Sequence, residues 1–200
     1  VQLDWSKDGV IGNSTPVSRT EGAENLLDLV NNYTFLPGEQ LNVVDHSHGG
    51  NVTKEFTQLY SGDKKIDNLV LLGTPQRSDY KLDTNDLAPN AKVINVYDKN
   101  DVIQVLGGQT PVSGGRRMEN AYNIPVFQYK NQTINTDNDS RKLGFPSQVV
   151  VPLSIGPVKS HTELDSKPVW DKAVVPLLRK PTLPSNYRQP ELKPIPIEVK

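Results

Sequence analysis

The chain contains no cysteine. That excludes disulfide bridges, thiolate metal sites and a cysteine nucleophile, and it fits a reducing or an oxidising compartment equally, so localisation stays open. No apolar run approaches the ~20 residues that a membrane-spanning helix requires, and no signal-peptide pattern opens the sequence, which begins at Val1. Apolar residues are few as well, 35% of 200, which points to long polar loops around a modest core. Neither sign of charge dominates: 22 Lys and Arg against 23 Asp and Glu leave a formal net charge of -1. A basic footprint for nucleic acid or an anionic membrane surface is therefore lacking. No internal repeat is visible, and the length suits about one domain.

What the sequence does contain is one organising stretch, residues 41–50, LNVVDHSHGG. Val and Leu run into Asp45-His46-Ser47-His48-Gly49, and a helix-like segment, NVTKEFTQLY, follows directly. The order is strand, tight turn, helix, with one serine at the tip. Such a bend lifts a hydroxyl clear of the strand end, while the helix start presents unpaired backbone N–H groups beside it. A serine in this position also serves many α/β proteins as a plain helix cap, so the case for chemistry depends on the rest of the chain.

Residues 1–5, VQLDW, alternate like a short strand, and a polar loop with Gly and Pro follows. Ala23, Leu26, Leu27 and Val30 predict a helix over 18–30, with Ser18 and Glu21 placed as a capping box. After Pro37-Gly38, residues 41–44 form the strand that enters the turn. Residues 66–73, IDNLVLLG, have the continuous apolar run of a buried parallel strand. Residues 74–90 are loop-like, and 91–97, AKVINVY, are the next strand, ending in DKND. Residues 105–123 are Gly-rich and irregular. Two apolar runs, 124–129 and 149–153, flank the polar NQTINTDNDSRK, and either suits a last core strand. Helical spacing returns over 166–178, where Pro176 should kink or shorten the element. Prolines at 181, 184, 190, 194 and 196 favour an extended tail over a packed element. Strands separated by helices or long crossovers predict an α/β fold with a mostly parallel sheet flanked by helices over residues 1–180, and 181–200 as a proline-rich tail.

A serine nucleophile needs a base, usually a histidine oriented by a carboxylate. The chain has three histidines. His46 and His48 flank Ser47, and adjacent side chains diverge at a sharp turn, so neither faces its hydroxyl easily. That leaves His161, in the loop GPVKSHTE, by elimination. The carboxylate belongs at the carboxyl edge of the sheet, where open α/β proteins place their sites, and Asp98 and Asp101 both meet that condition. Other chemistries fit less well. His46-x-His48 starts like the H-x-H-x-D-H ligand run of binuclear zinc hydrolases, but Gly50 and Asn51 stand where the aspartate and last histidine belong. The segment GGQTPVSGGRR has no Gly-Lys-Ser/Thr after its glycines, as a phosphate loop requires. Neither metal nor cofactor is expected.

Several segments together carry a resemblance: DWS with the downstream Arg19 and helix, VVDHSHGGN, NLVLLGTP, VINVYDKNDVIQ, and SHTEL ahead of a Trp-containing helix. They resemble successive parts of an α/β-hydrolase lipase or esterase, from its fourth strand to its end, over nearly the whole chain apart from the tail. In that family a G-x-S-x-G nucleophile elbow carries the serine; here Asp45 replaces its first glycine. The resemblance implies Ser47 as nucleophile, His161 as general base, the backbone N–H of His48 as an oxyanion donor, and Asp101 as the acid. Asp101 is selected over Asp98 because the family's acid precedes two apolar residues, here Val102 and Ile103; Asp98 is then a turn residue. The implied substrate is a carboxylic ester, either a small molecule or a lipid, cleaved through an acyl-enzyme. Implied too is an amino-terminally incomplete domain, linked to the rest of a longer chain. It would lack the family's first strands and its second oxyanion donor, and be marginally stable and slow alone. A non-catalytic module of the same fold is the alternative, favoured by Asp45 and by a tail suited to docking.

Overall fold

A computed structural model of the chain describes residues 15–108, 115–135, 148–181 and 192–199. The first described element is helix α1, Pro16–Asn31, and its start differs from the expected one. Thr15, not Ser18, is the cap: its hydroxyl accepts from the Ser18 N–H at 3.2 Å, and Pro16 sits in the first turn, where a missing N–H costs nothing. The expected strand over residues 1–5 lies outside the described residues.

Strand β1, Leu41–His46, leads into helix α2, Gly49–Leu59, and then β2, Ile66–Leu72. Ile66, Leu69, Val70, Leu71 and Leu72 are all almost fully buried, as expected for a strand covered on both faces. Strand β3 is Leu87–Asp98 and starts four residues earlier than AKVINVY suggests, within the stretch expected to be loop. Pro89 and Asn90 hide this start in the sequence, and a shift in register after Ile66 accommodates it. Helix α3, Val102–Gly107, occupies the beginning of the Gly-rich region.

Strand β4, Tyr122–Asn135, is the long one. Its first half pairs with β3 in parallel, and its outer half pairs antiparallel with β5, Gln148–Ser154, so the two apolar runs belong to one hairpin. Helix α4, Pro157–Thr162, follows. Next come α5, Lys167–Val169, a π-helical turn, Trp170–Val174, and α6, Val175–Leu178. The widening has a cause in Pro176, which has no N–H for an ordinary helical bond; the Val175 N–H reaches back to the Trp170 carbonyl instead.

The end of the tail corrects another expectation. Residues Ile195–Glu198 form β6, which lies parallel against Val126–Tyr129 of β4, with Ile197 and Val199 buried. Among the described residues five strands, β1-β2-β3-β4-β6, thus run parallel, and β5 pairs antiparallel with β4. On one face Leu41, Val43, Leu69 and Val93 pack against Ala23 of α1 and Val52 and Phe56 of α2. On the other, Val70, Ile94, Val96 and Ile197 pack against Val169, Ala173 and Val174. This is an α/β fold of three layers. No helix among the described residues is long and apolar enough to cross a membrane.

Candidate active site

At the end of β1 the backbone turns through Ser47, whose φ is +56°, a left-handed conformation that costs a non-glycine residue energy. The turn is held by the Ser47 N–H, which donates to the Leu72 carbonyl at 2.8 Å, and by the Gly50 N–H, which donates to the Ser47 carbonyl at 3.2 Å. Helix α2 then starts in close contact with the end of β2. A Cβ on Gly50 would stand 2.0 Å from Thr74 Oγ1, so only glycine permits this approach.

Three residues far apart in sequence meet here. His161 Nε2 lies 2.9 Å from Ser47 Oγ, and His161 Nδ1 lies 2.7 Å from Asp101 Oδ2. Asp101 is fully buried and His161 is 6% exposed. The second oxygen of Asp101 accepts from the Gln104 N–H at 2.9 Å, because Asp101 caps α3, and Arg116 Nη2 donates to its main-chain carbonyl at 2.9 Å. Both carboxylate oxygens therefore have donors, which fixes the face offered to the imidazole. Beneath the pair lies Gly73, with φ +62°; a Cβ there would meet Leu164 Cδ1 at 2.8 Å and His161 Nδ1 at 3.4 Å. Chemically the arrangement is a serine hydroxyl bonded to an imidazole that a buried carboxylate orients.

Asp98 has a different environment. Its Oδ1 accepts from the Asn100 N–H at 2.8 Å, the turn role expected, and its Oδ2 accepts from the Gln128 N–H at 2.9 Å, tying β3 to β4. Burial raises its carboxyl above the usual range, although both backbone bonds oppose the shift.

Among the described residues the Ser47 hydroxyl is bonded to His161 and to neither neighbouring histidine. His46 Nε2 donates to the His161 carbonyl at 2.9 Å. His48 turns toward Asn51, its Nδ1 3.4 Å from Asn51 Nδ2, and burial, with the charges of Arg19, Arg77 and His161, pushes it down to about 4. Among the described residues no hydrogen bond uses the His48 backbone N–H, which leaves it free beside Ser47. Asp45, where the elbow pattern has glycine, accepts a hydrogen bond from Thr53 Oγ1 of α2. Burial pushes its carboxyl up to about 7 against the lowering effect of that bond. No group of three or more potential metal ligands occurs among the described residues.

Sequence reasoning overlooked Gln104, Arg116, Gly73 and the partner of His46. Gln104 was legible, since D-x-x-Q at residues 101–104 is a capping pattern. The other three depend on chain segments brought together only by folding.

No protein-family model matches the chain, and neither the curated proteins nor the solved structures give a significant match.

Proposed function

We propose that the protein is a serine hydrolase of the α/β-hydrolase type that cleaves carboxylic esters with small or lipid-like acyl groups. The observation that carries this reading is the unbroken relay from Asp101 through His161 to Ser47, at 2.7 and 2.9 Å, with the serine held at a positive φ ahead of α2. Two hydrogen bonds to one imidazole, with opposite ends engaged, are what proton transfer from a serine requires.

In this reaction Ser47 Oγ attacks the ester carbonyl carbon while His161 Nε2 takes its proton. The bond to the alcohol breaks as His161 returns that proton to the departing oxygen, leaving an acyl group on Ser47. Water then repeats both steps and frees the acid. Asp101 keeps the ring in the correct tautomer and stabilises the imidazolium. The His48 N–H faces the negative charge that develops on the carbonyl oxygen, an interaction worth roughly 2.7 to 4 kcal/mol in such sites. The segments that resemble lipases and esterases favour esters over peptides.

A fluorophosphonate probe tests the proposal. It should label the native protein on Ser47, and Ser47→Ala should stay folded, lose the label and lose roughly a million-fold in kcat on p-nitrophenyl butyrate. A folded native protein that neither labels nor hydrolyses would instead be a non-catalytic module of this fold.

A further inference from the structure

His46 immediately precedes the proposed nucleophile, yet its ring reaches away from Ser47 to helix α4. There its Nε2–H donates to the main-chain carbonyl of His161 at 2.9 Å, and the two rings lie 5.0 Å apart between centroids. A carbonyl can only accept, so the proton is on Nε2 of His46. The recipient sits in the last turn of a six-residue helix, where carbonyls have no further helical donors. Its backbone donors are the Leu164 N–H, at a longer 3.3 Å, and the N–H of the cap residue Glu163, which is shared with the Lys159 carbonyl. Among the described residues His46 is the side chain that bonds the His161 backbone.

These contacts close a ring. His46 is joined covalently to Ser47, Ser47 Oγ is bonded to His161 Nε2, and the His161 carbonyl is bonded to His46 Nε2. Asp101 holds the imidazole, and Gln128 Nε2 of β4 donates to the Ser160 carbonyl of α4 at 2.6 Å, but neither bond ties α4 to β1. The bond from His46 fixes the α4 backbone directly to the residue beside the serine. Burial holds His46 below the ordinary imidazole value and so favours the neutral ring, which places no charge beside His161.

We infer that His46 is a positioning residue: through the His161 carbonyl it holds the base at hydrogen-bonding distance from Ser47 during proton transfer. This rests on the hydrolase reading above and adds a role for a histidine that neither attacks nor accepts the serine proton. Because it acts on the geometry of a proton transfer, its removal should lower kcat and leave KM alone; misplacement of a reacting group by about an ångström costs on the order of a hundred-fold.

The test compares wild type with His46→Phe, which keeps a ring without a donor, and His46→Gln, which keeps an N–H donor without the ring. Steady-state hydrolysis of p-nitrophenyl butyrate and the rate of fluorophosphonate labelling are measured on protein shown to be folded by circular dichroism. His46→Phe should lose about 10- to 100-fold in kcat and in labelling rate with KM unchanged, and His46→Gln should recover most of the loss. Should His46→Phe not fold, His46→Met provides a smaller donor-free replacement with the same expected loss. An inactive wild type overturns the hydrolase reading and this inference with it. An active wild type matched in kcat by a folded donor-free variant overturns this inference alone, as does a loss confined to KM or a Gln variant no better than the Phe variant.

Discussion

Two aspartates three residues apart divide the labour at the end of β3, and their bonding partners separate them. Asp101 gives one oxygen to His161 and the other to the Gln104 N–H, whereas Asp98 gives both of its oxygens to backbone N–H groups of the turn and of β4. Asp101→Asn keeps the volume but offers the imidazole the wrong group. It should cost about ten-thousand-fold in kcat. Asp98→Asn turns one buried acceptor into a donor facing a donor, which should cost roughly 1 to 3 kcal/mol of stability and leave most turnover in the folded fraction. Single-turnover kinetics and urea unfolding on both variants check this, and the reverse ranking in turnover moves the acid to Asp98. The apolar pair after Asp101 pointed to it in the sequence only through the resemblance to lipases. The second bond of Asp98, to Gln128, was not, because it spans thirty positions.

At the scale of elements, β2 was readable because its burial on two faces demands an uninterrupted apolar run. The tail was not, and the reason lies in the parity of its prolines. The Val199 N–H donates to the Tyr129 carbonyl, so in β6 the odd-numbered residues turn their backbone groups toward β4 and the even-numbered ones turn away. Pro194 and Pro196 both fall on the outward side, where a missing N–H breaks no ladder bond. Ile197 points into the core with no exposed surface. Ile197→Ala should therefore cost about 2 to 5 kcal/mol, as for a buried aliphatic truncation, and lower the thermal midpoint while kcat below that midpoint stays unchanged. A variant melting with wild type would show that β6 does not contribute to the fold.

For the whole molecule, two buried ionisable groups set a pH dependence of stability. Asp45 is held up at about 7, against ~3.9 in an unfolded chain. Between those values the folded state keeps a proton that the unfolded state releases, so stability is lost as pH rises, by at most about 4 kcal/mol above 7. Lys54, buried in α2 with its ammonium donating to Gln76 Oε1 at 2.7 Å, is pushed down by burial to about 8, against ~10.4 unfolded. Its cost is complete below 8 and is recovered as pH rises toward 10, by at most about 3 kcal/mol. His48, at about 4, acts with the opposite sign to Asp45 in the acid range. The Asp45 share is therefore read as a difference from Asp45→Asn, which keeps an acceptor for Thr53. Urea midpoints should show Asp45→Asn gaining on wild type from pH 4 to 7 and level beyond, and Lys54→Met gaining most below 8. Parallel pH curves for wild type and either variant would remove that group from the account.

The sequence by itself determined the α/β class of fold and pointed to Ser47 and His161 as candidates, while between Asp98 and Asp101 only the family resemblance chose. Hydrophobic periodicity marks strands and helices locally, and a serine at a strand–turn–helix junction is a local pattern too. Elimination among three histidines then left His161, because adjacent residues cannot both turn toward one hydroxyl. Only the tertiary structure decided what those residues touch. The bonds of the relay from Asp101 to Ser47 join positions 60 and 114 residues apart, the bond from His46 to His161 spans 115, and β6 finds β4 across a stretch of prolines. Such contacts leave no period in the chain, since what selects them is the packing of whole elements against one another.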